Sequence, residues 1–81
     1  MSYETDILAK LRSALVGKKI IKVEYMNAAD ARRMGWCNRP IAIVTEGGTV
    51  LFPLADDEGN DGGALATSIP ECETVGVLPA T

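Results

Sequence analysis

The stretch IAIVTEGGTVLFPL, residues 41–54, predicts a β-hairpin and, through it, the fold class. Two runs rich in apolar and β-branched residues, 41–45 and 49–54, flank a turn that contains two adjacent glycines. Such glycines supply the positive φ angles that tight hairpin turns require. Pro53 cannot donate to a sheet ladder, so we expect the second strand to be an edge strand or to bend at that residue.

The segment IIKVEYM, residues 20–26, predicts a strand upstream of the hairpin. Ile21, Val23 and Tyr25 alternate with charged residues and therefore point to one face of a sheet. We expect this strand to be half-buried, with its apolar side chains against the core and its charged side chains in solvent.

Two helices are predicted, one on each side of this strand. Near the N-terminus, apolar residues recur at helical spacing, and Ser2 or Thr5 can cap the first turn. We expect this helix to cover one face of the sheet; the alternative is that its apolar stripe binds a partner helix. Further along, Asn27 is a good N-cap and predicts a helix of about two turns over 28–34.

Downstream of the hairpin, the pattern predicts a weak strand at 64–68 and a last strand within 73–80, with Gly76 at a bulge. The short connections favour antiparallel pairing. The expected fold is therefore α+β: one domain, residues 1–81, with the N-terminal helix packed on a small curved antiparallel sheet, or partly open barrel, of four or five strands.

Charge and length restrict the classes of partner. The chain has 81 residues and a net charge of −3, which argues against nucleic acid, because phosphate binding needs an excess of Lys and Arg on one face. All basic residues lie between Lys10 and Arg39, whereas residues 41–81 carry only acidic charges. Pairing between the two halves is the simpler interpretation, and an acidic face for a cation or a basic partner is the alternative. No apolar run is long enough to span a membrane, so no membrane partner is expected.

A chain this short is marginal in stability, which makes a homodimer an alternative to a monomer. Cys37 and Cys72 do not have a metal-binding or redox spacing, and no signal sequence is visible. We therefore predict a cytoplasmic protein with two free thiols. The absence of histidine removes the commonest general base and the commonest metal ligand.

The segment LADDEGNDGGALA, residues 54–66, is the first candidate site. Its carboxylates and amide are crowded among glycines: Asp56, Asp57, Glu58, Asn60 and Asp61. Oxygen ligands on a glycine-containing loop suit Ca²⁺ or Mg²⁺, with Asp57 and Asp61 as the candidate metal ligands. An EF-hand is excluded, because its twelfth position falls on Ser68. The alternatives are a loop that only its own backbone bonds hold in shape, and a binding surface for a positively charged partner.

The segment GWCNRP, residues 35–40, is the second candidate site. Trp36 is expected to be a large part of the core; if exposed, it would be an interface anchor. Arg39 is expected to pair with a carboxylate of the acidic loop, and anion binding is the alternative.

Together, the GW-x-x-RP segment and the acidic DDEGND-x-GAL segment resemble those of a small bacterial family of proteins. The resemblance covers about two thirds of the chain, with its specific positions at residues 35–36, 39–40 and 56–61. No activity is assigned to that family, so the resemblance implies a group of related proteins and directs attention to the two candidate sites.

These observations predict a non-enzymatic protein-interaction or small-ligand-binding module. Its surface would be formed by Trp36, Arg39 and the acidic loop, and its partner would be another protein or a second copy. No cofactor is expected, apart from Ca²⁺ or Mg²⁺ in the alternative of a divalent-cation site at the loop. The third hypothesis is an enzyme that uses loop carboxylates. It is disfavoured because the thiols have no histidine base and so small a domain has little room for a pocket of about 300 Å³ or more.

Overall fold

The computed structural model describes residues 2–55 and 63–79. These residues form two helices and five strands. In chain order they are α1 (Tyr3–Leu15), β1 (Ile20–Tyr25), α2 (Ala28–Arg33), β2 (Ile41–Thr45), β3 (Val50–Pro53), β4 (Leu65–Thr67) and β5 (Thr74–Val75).

The strands form one antiparallel sheet in the order β1-β2-β3-β4-β5, and the sheet is not closed. Each strand pairs with its neighbour in the sequence, as expected of short connections. The α+β class and the predicted hairpin are confirmed. The edge-strand alternative for Pro53 is wrong, because β3 lies between β2 and β4 and ends at Pro53, which pairs with Leu65.

The local signals for turns and caps are confirmed. Gly47 and Gly48 have φ angles of 88° and 86°, and this turn joins β2 to β3. The Ser2 hydroxyl accepts a hydrogen bond from the Thr5 N–H at the start of α1, at 3.1 Å. The Asn27 amide oxygen accepts one from the Asp30 N–H at the start of α2, at 2.8 Å. In each helix, the side chain that caps the first turn lies within three residues of the N–H group that it binds. The start of the helix can therefore be predicted from the local sequence.

The buried residues are small and lie mainly between the sheet centre and the β4–β5 end. They are Ala31, Ala42, Thr45, Ala66, Thr67, Ile69 and Cys72. No residue of α1 is buried, although its apolar stripe is half-buried. The helix is bound to the far end of the sheet by two contacts. Gly76 donates its N–H to the Tyr3 hydroxyl at 3.1 Å, and Lys10 bonds Glu71 at 2.9 Å.

Two strand predictions need correction. All six residues of β1 are exposed, so the predicted half-burial of this strand is wrong. The last strand covers only Thr74–Val75 and ends before Gly76, whose N–H bonds α1 and is not part of a bulge. In both cases the strand lies at the margin of the sheet, where alternation does not show whether another element covers it.

Within residues 2–55 and 63–79, no helix is long and apolar enough to cross a membrane.

Candidate interaction surface

The outer side of β1 carries backbone groups that point away from the sheet. Met26 donates its N–H to the Pro40 carbonyl at 2.8 Å, so Met26 faces β2. In an antiparallel pair, successive residues alternate between facing the partner and facing away. Glu24 and Lys22 therefore also face β2. The N–H and C=O groups of Val23 and Tyr25 therefore face outward, and we call this side of β1 the open edge.

In the part of the chain that the structure describes, no strand pairs with the open edge. This side of β1 therefore presents backbone donors and acceptors that no described strand pairs with. Such an edge can pair with another extended chain, and natural proteins usually shorten, charge or cover it. The length and composition of β1 therefore determine whether this edge is protected.

The side chains of β1 are unusually apolar for a fully exposed strand. Ile20, Ile21, Val23 and Tyr25 are each about 60% exposed. We call these four residues the apolar patch. The patch continues onto β2, because Val23 is opposite Ile43 and Tyr25 is opposite Ile41, and both β2 residues are only half-buried. Contiguous exposed apolar surface of this kind marks interaction sites in monomeric chains.

A β-bulge adds to the patch at the start of β1. The register moves between Ile20, opposite Thr45, and Lys22, opposite Val44, so Ile21 is the extra residue. A bulge places two residues of one strand against one residue of its partner. Ile21 and Lys22 therefore both lie against Val44, and Ile20 and Ile21 are both exposed at this corner of the sheet.

The charged residues of β1 occupy the other face of the strand. Lys22 and Glu24 form an ion pair at 3.0 Å between the Lys Nζ and a Glu carboxylate oxygen. Both side chains are more than half exposed, so the pair contributes little to the stability of the chain itself. It gives the edge one positive and one negative charge, two residues apart.

The predicted site at Trp36 and Arg39 is described only in part. Trp36 is half-buried, with its ring edge-on to Phe52 at a centroid distance of 5.8 Å. It is therefore a packing residue between the α2 segment and β3, and less deeply buried than expected. Arg39 is exposed. Its predicted partners lie outside the described residues, so the Arg39 pairing stays a prediction.

The acidic loop residues Asp56, Asp57, Glu58, Asn60 and Asp61 lie outside the described residues. The cation site at Asp57 and Asp61 and the enzyme hypothesis based on loop carboxylates therefore stay predictions. Among residues 2–55 and 63–79, no three acidic or cysteine side chains are grouped so that they could hold a metal ion.

Two open clefts are larger than we expect for so small a domain. One, of about 500 Å³, lies between α1 and the β4–β5 connection and is lined by Ala9, Ser13 and Ile69 among others. The other, of about 340 Å³, lies between α2 and β3. Both clefts are open to solvent, so they do not contradict the predicted lack of room for a ligand pocket above about 300 Å³.

An ion pair lies at the mouth of the larger cleft. The Lys10 ammonium donates a hydrogen bond to the Glu71 carboxylate. This bond raises the pKa of Lys10 and lowers the pKa of Glu71. Both groups are in solvent, and each is held in its charged form. The pair therefore joins α1 to the connection and does not provide a proton donor or acceptor poised near neutral pH.

The two thiols have different environments. Cys72 is completely buried in the β4–β5 connection, and Cys37 is exposed; neither is in a disulfide. The prediction of two free thiols is confirmed in the structure, although only Cys72 is a core residue.

The sequence did not identify β1 as the main surface. The alternation in residues 20–25 shows neither that the apolar side chains are uncovered nor that a bulge interrupts the pattern at Ile21. The available signal was the order of elements: a meander of short connections leaves its first strand at an edge.

No protein-family model, curated protein or solved structure matches the chain. The resemblance of residues 35–40 and 56–61 to a bacterial family therefore stays a prediction.

Proposed function

We propose that this protein is a non-enzymatic protein-interaction module of the cytoplasm, and that its binding surface is the open edge of β1 with the apolar patch. The observation that carries the proposal is that a strand of six residues at a sheet edge is exposed along its whole length, although four of its residues are Ile, Val and Tyr. In isolated folded domains, such residues are normally buried.

Two kinds of interaction are combined on this surface. The outward N–H and C=O groups can add an extended strand to the sheet, which supplies affinity through main-chain hydrogen bonds. The apolar patch supplies burial, at about 25 cal/mol for each Å² removed from water. The partner is therefore a protein segment in extended conformation. The surface around Arg39 and the acidic loop stays proposed as a second binding face.

Site-specific photocrosslinking in the cells that produce the protein tests this proposal. A photoreactive amino acid at Val23 should give covalent protein adducts, because the side chain lies on the proposed surface. The same residue at Val16 is the matched control: Val16 is also exposed, at 72% against 59%, but lies just after α1. Equal yields at both positions, or no adduct at Val23, would contradict the proposal.

A further inference from the structure

We infer that the open edge binds the open edge of a second copy of this chain, in antiparallel orientation, with Val23 opposite Val23 of that copy. The inference rests on the proposed function and names the partner for the same surface. In the resulting dimer, two sheets join into one continuous sheet across a two-fold axis. Such an interface is isologous, so the edge must be complementary to itself.

The hydrogen-bonding groups meet this requirement. Val23 points its N–H and C=O outward, so two Val23 residues face to face exchange both bonds as a hydrogen-bonded pair. In the same register, the outward-facing Tyr25 of each copy is opposite Ile21 of the other, where the bulge interrupts the alternation. The Val23 pair therefore supplies the two central main-chain hydrogen bonds of the interface.

The charges select this register. With Val23 on the axis, Lys22 of each copy is opposite Glu24 of the other, in non-hydrogen-bonded positions where side chains approach most closely. Moving the axis by one residue would place Lys22 opposite Lys22, or Glu24 opposite Glu24. Like charges directly opposite one another destabilise a strand pair, whereas opposite charges stabilise it. Of these three registers, only the Val23-centred one pairs unlike charges.

The apolar residues agree with the same register. Val23 would contact Val23 once, on the axis, and Ile21 would lie opposite Tyr25 at two symmetry-related positions. These are the β-branched and aromatic pairs that stabilise neighbouring strands. Val23 and Tyr25 would lie on one face of the joined sheet, with the four charges on the other. Another protein is the competing partner, but the edge itself favours the second copy, because bonds, charges and apolar side chains all match in one alignment.

The first test is a charge exchange, read by sedimentation equilibrium of the full chain over a range of concentrations. The wild type should dimerise. Lys22→Glu should raise the dimer dissociation constant about tenfold, because it opposes Glu to Glu twice. The double variant Lys22→Glu with Glu24→Lys should return to within about threefold of the wild type, since the unlike pairs are restored. Lys18→Glu makes the same change in net charge outside β1 and should have little effect.

The second test is disulfide formation in a Cys37→Ser background under mild oxidation. Val23→Cys should give a covalent dimer, because the Cα atoms of a hydrogen-bonded pair are about 5.5 Å apart, which suits a disulfide. Tyr25→Cys is the matched control and should not link to itself, because its copies would be about 13 Å apart along the strands.

The outcomes separate this inference from the proposed function. A dimer that ignores the charge exchange and fails to link through Val23→Cys would overturn the inference, because the copies would then meet elsewhere. A monomer at all concentrations would also overturn it. If Val23 still crosslinks to another protein in cells, the interaction function stands and only the partner is wrong.

Discussion

The two edges of the sheet differ in length, composition and cover. β1 presents six exposed residues, most of them apolar, whereas β5 presents only Thr74–Val75. Immediately after β5, the Gly76 N–H is bound by the Tyr3 hydroxyl of α1. A very short edge strand, closed by a helix contact, is one of the ways in which proteins prevent strand addition. We call this the short edge.

The buried residues next to the two edges also differ. Beside the short edge, the buried Thr67 hydroxyl donates to the Cys72 carbonyl at 2.6 Å and accepts from the Ile69 N–H at 3.0 Å. Cys72 itself is completely buried. Beside the open edge, the large aliphatic residues lie outside and alanine lies inside, at position 42. The chain therefore completes its own core at one end, and we propose that a partner covers the other end.

The largest expected effect is a loss of stability next to the short edge. Thr67→Val should lower the free energy of unfolding by about 2–3 kcal/mol, because it leaves the Ile69 N–H and the Cys72 carbonyl without their partner in a buried site. The matched exchange at the open edge, Val23→Thr, should change the stability of the dissociated chain by less than about 0.5 kcal/mol. Urea denaturation at high dilution measures the free energy of unfolding of both variants. Equal losses of stability would mean that Thr67 and Val23 contribute equally to the core.

The second largest effect is expected at the open edge, on the affinity of the dimer. Val23→Lys places two ammonium groups together on the proposed axis and removes an apolar contact. We expect the dimer dissociation constant to rise at least tenfold, equivalent to about 1.4 kcal/mol. The thermal midpoint of the wild type should increase with protein concentration, and that of the variant should not. Val16→Lys is the control, and a similar loss in that variant would argue against β1 as the interface.

A smaller effect is expected at the closure of the short edge. Tyr3→Phe removes the acceptor of the Gly76 N–H and should lower stability by about 0.5–1 kcal/mol. Hydrogen exchange at the Gly76 amide is the direct measurement. Its protection should fall in the variant, while the amides of β1 keep their wild-type rates. Unchanged exchange at Gly76 would show that the tyrosine does not close this edge.

The smallest effect concerns the ion pair that joins α1 to the β4–β5 connection. Because the Lys10 contact lowers the pKa of Glu71, its stabilisation is fully present above the ordinary carboxyl pKa and is lost as the pH falls through the lowered value. Lys10→Met should return the Glu71 pKa towards its ordinary range and flatten this acid-side loss. A carboxyl titration by NMR checks the direction; an unchanged Glu71 pKa would rule out the contact in solution.

Features that depend on near neighbours could be predicted from the sequence. The caps at Ser2 and Asn27 and the Gly-Gly turn of the hairpin are fixed within a few residues, and the meander follows from short connections. The Thr67–Cys72 network was not predicted, because nothing local shows that a threonine hydroxyl will be buried between two backbone groups. The burial of small residues such as Ala42 and Ala66 also depends on what packs over them.

Prediction of the candidate site was limited in the same way, because exposure also depends on what packs over a strand. Alternation predicted that Ile21, Val23 and Tyr25 share one buried face. Val23 and Tyr25 do share a face, but the bulge puts Ile20 with them in place of Ile21, and the face is exposed. A strand inside one chain and a strand shared between two chains have the same pattern, because both bury their apolar residues in the assembled state.

Hydrogen exchange along β1, amide by amide and at several protein concentrations, tests the central claim most directly. Glu24 donates to β2 and should be protected at every concentration. Val23 faces the open edge, and its protection should rise with concentration until it matches that of Glu24. If Val23 exchanges freely at every concentration while Glu24 stays protected, β1 is an unpartnered edge and the account is wrong.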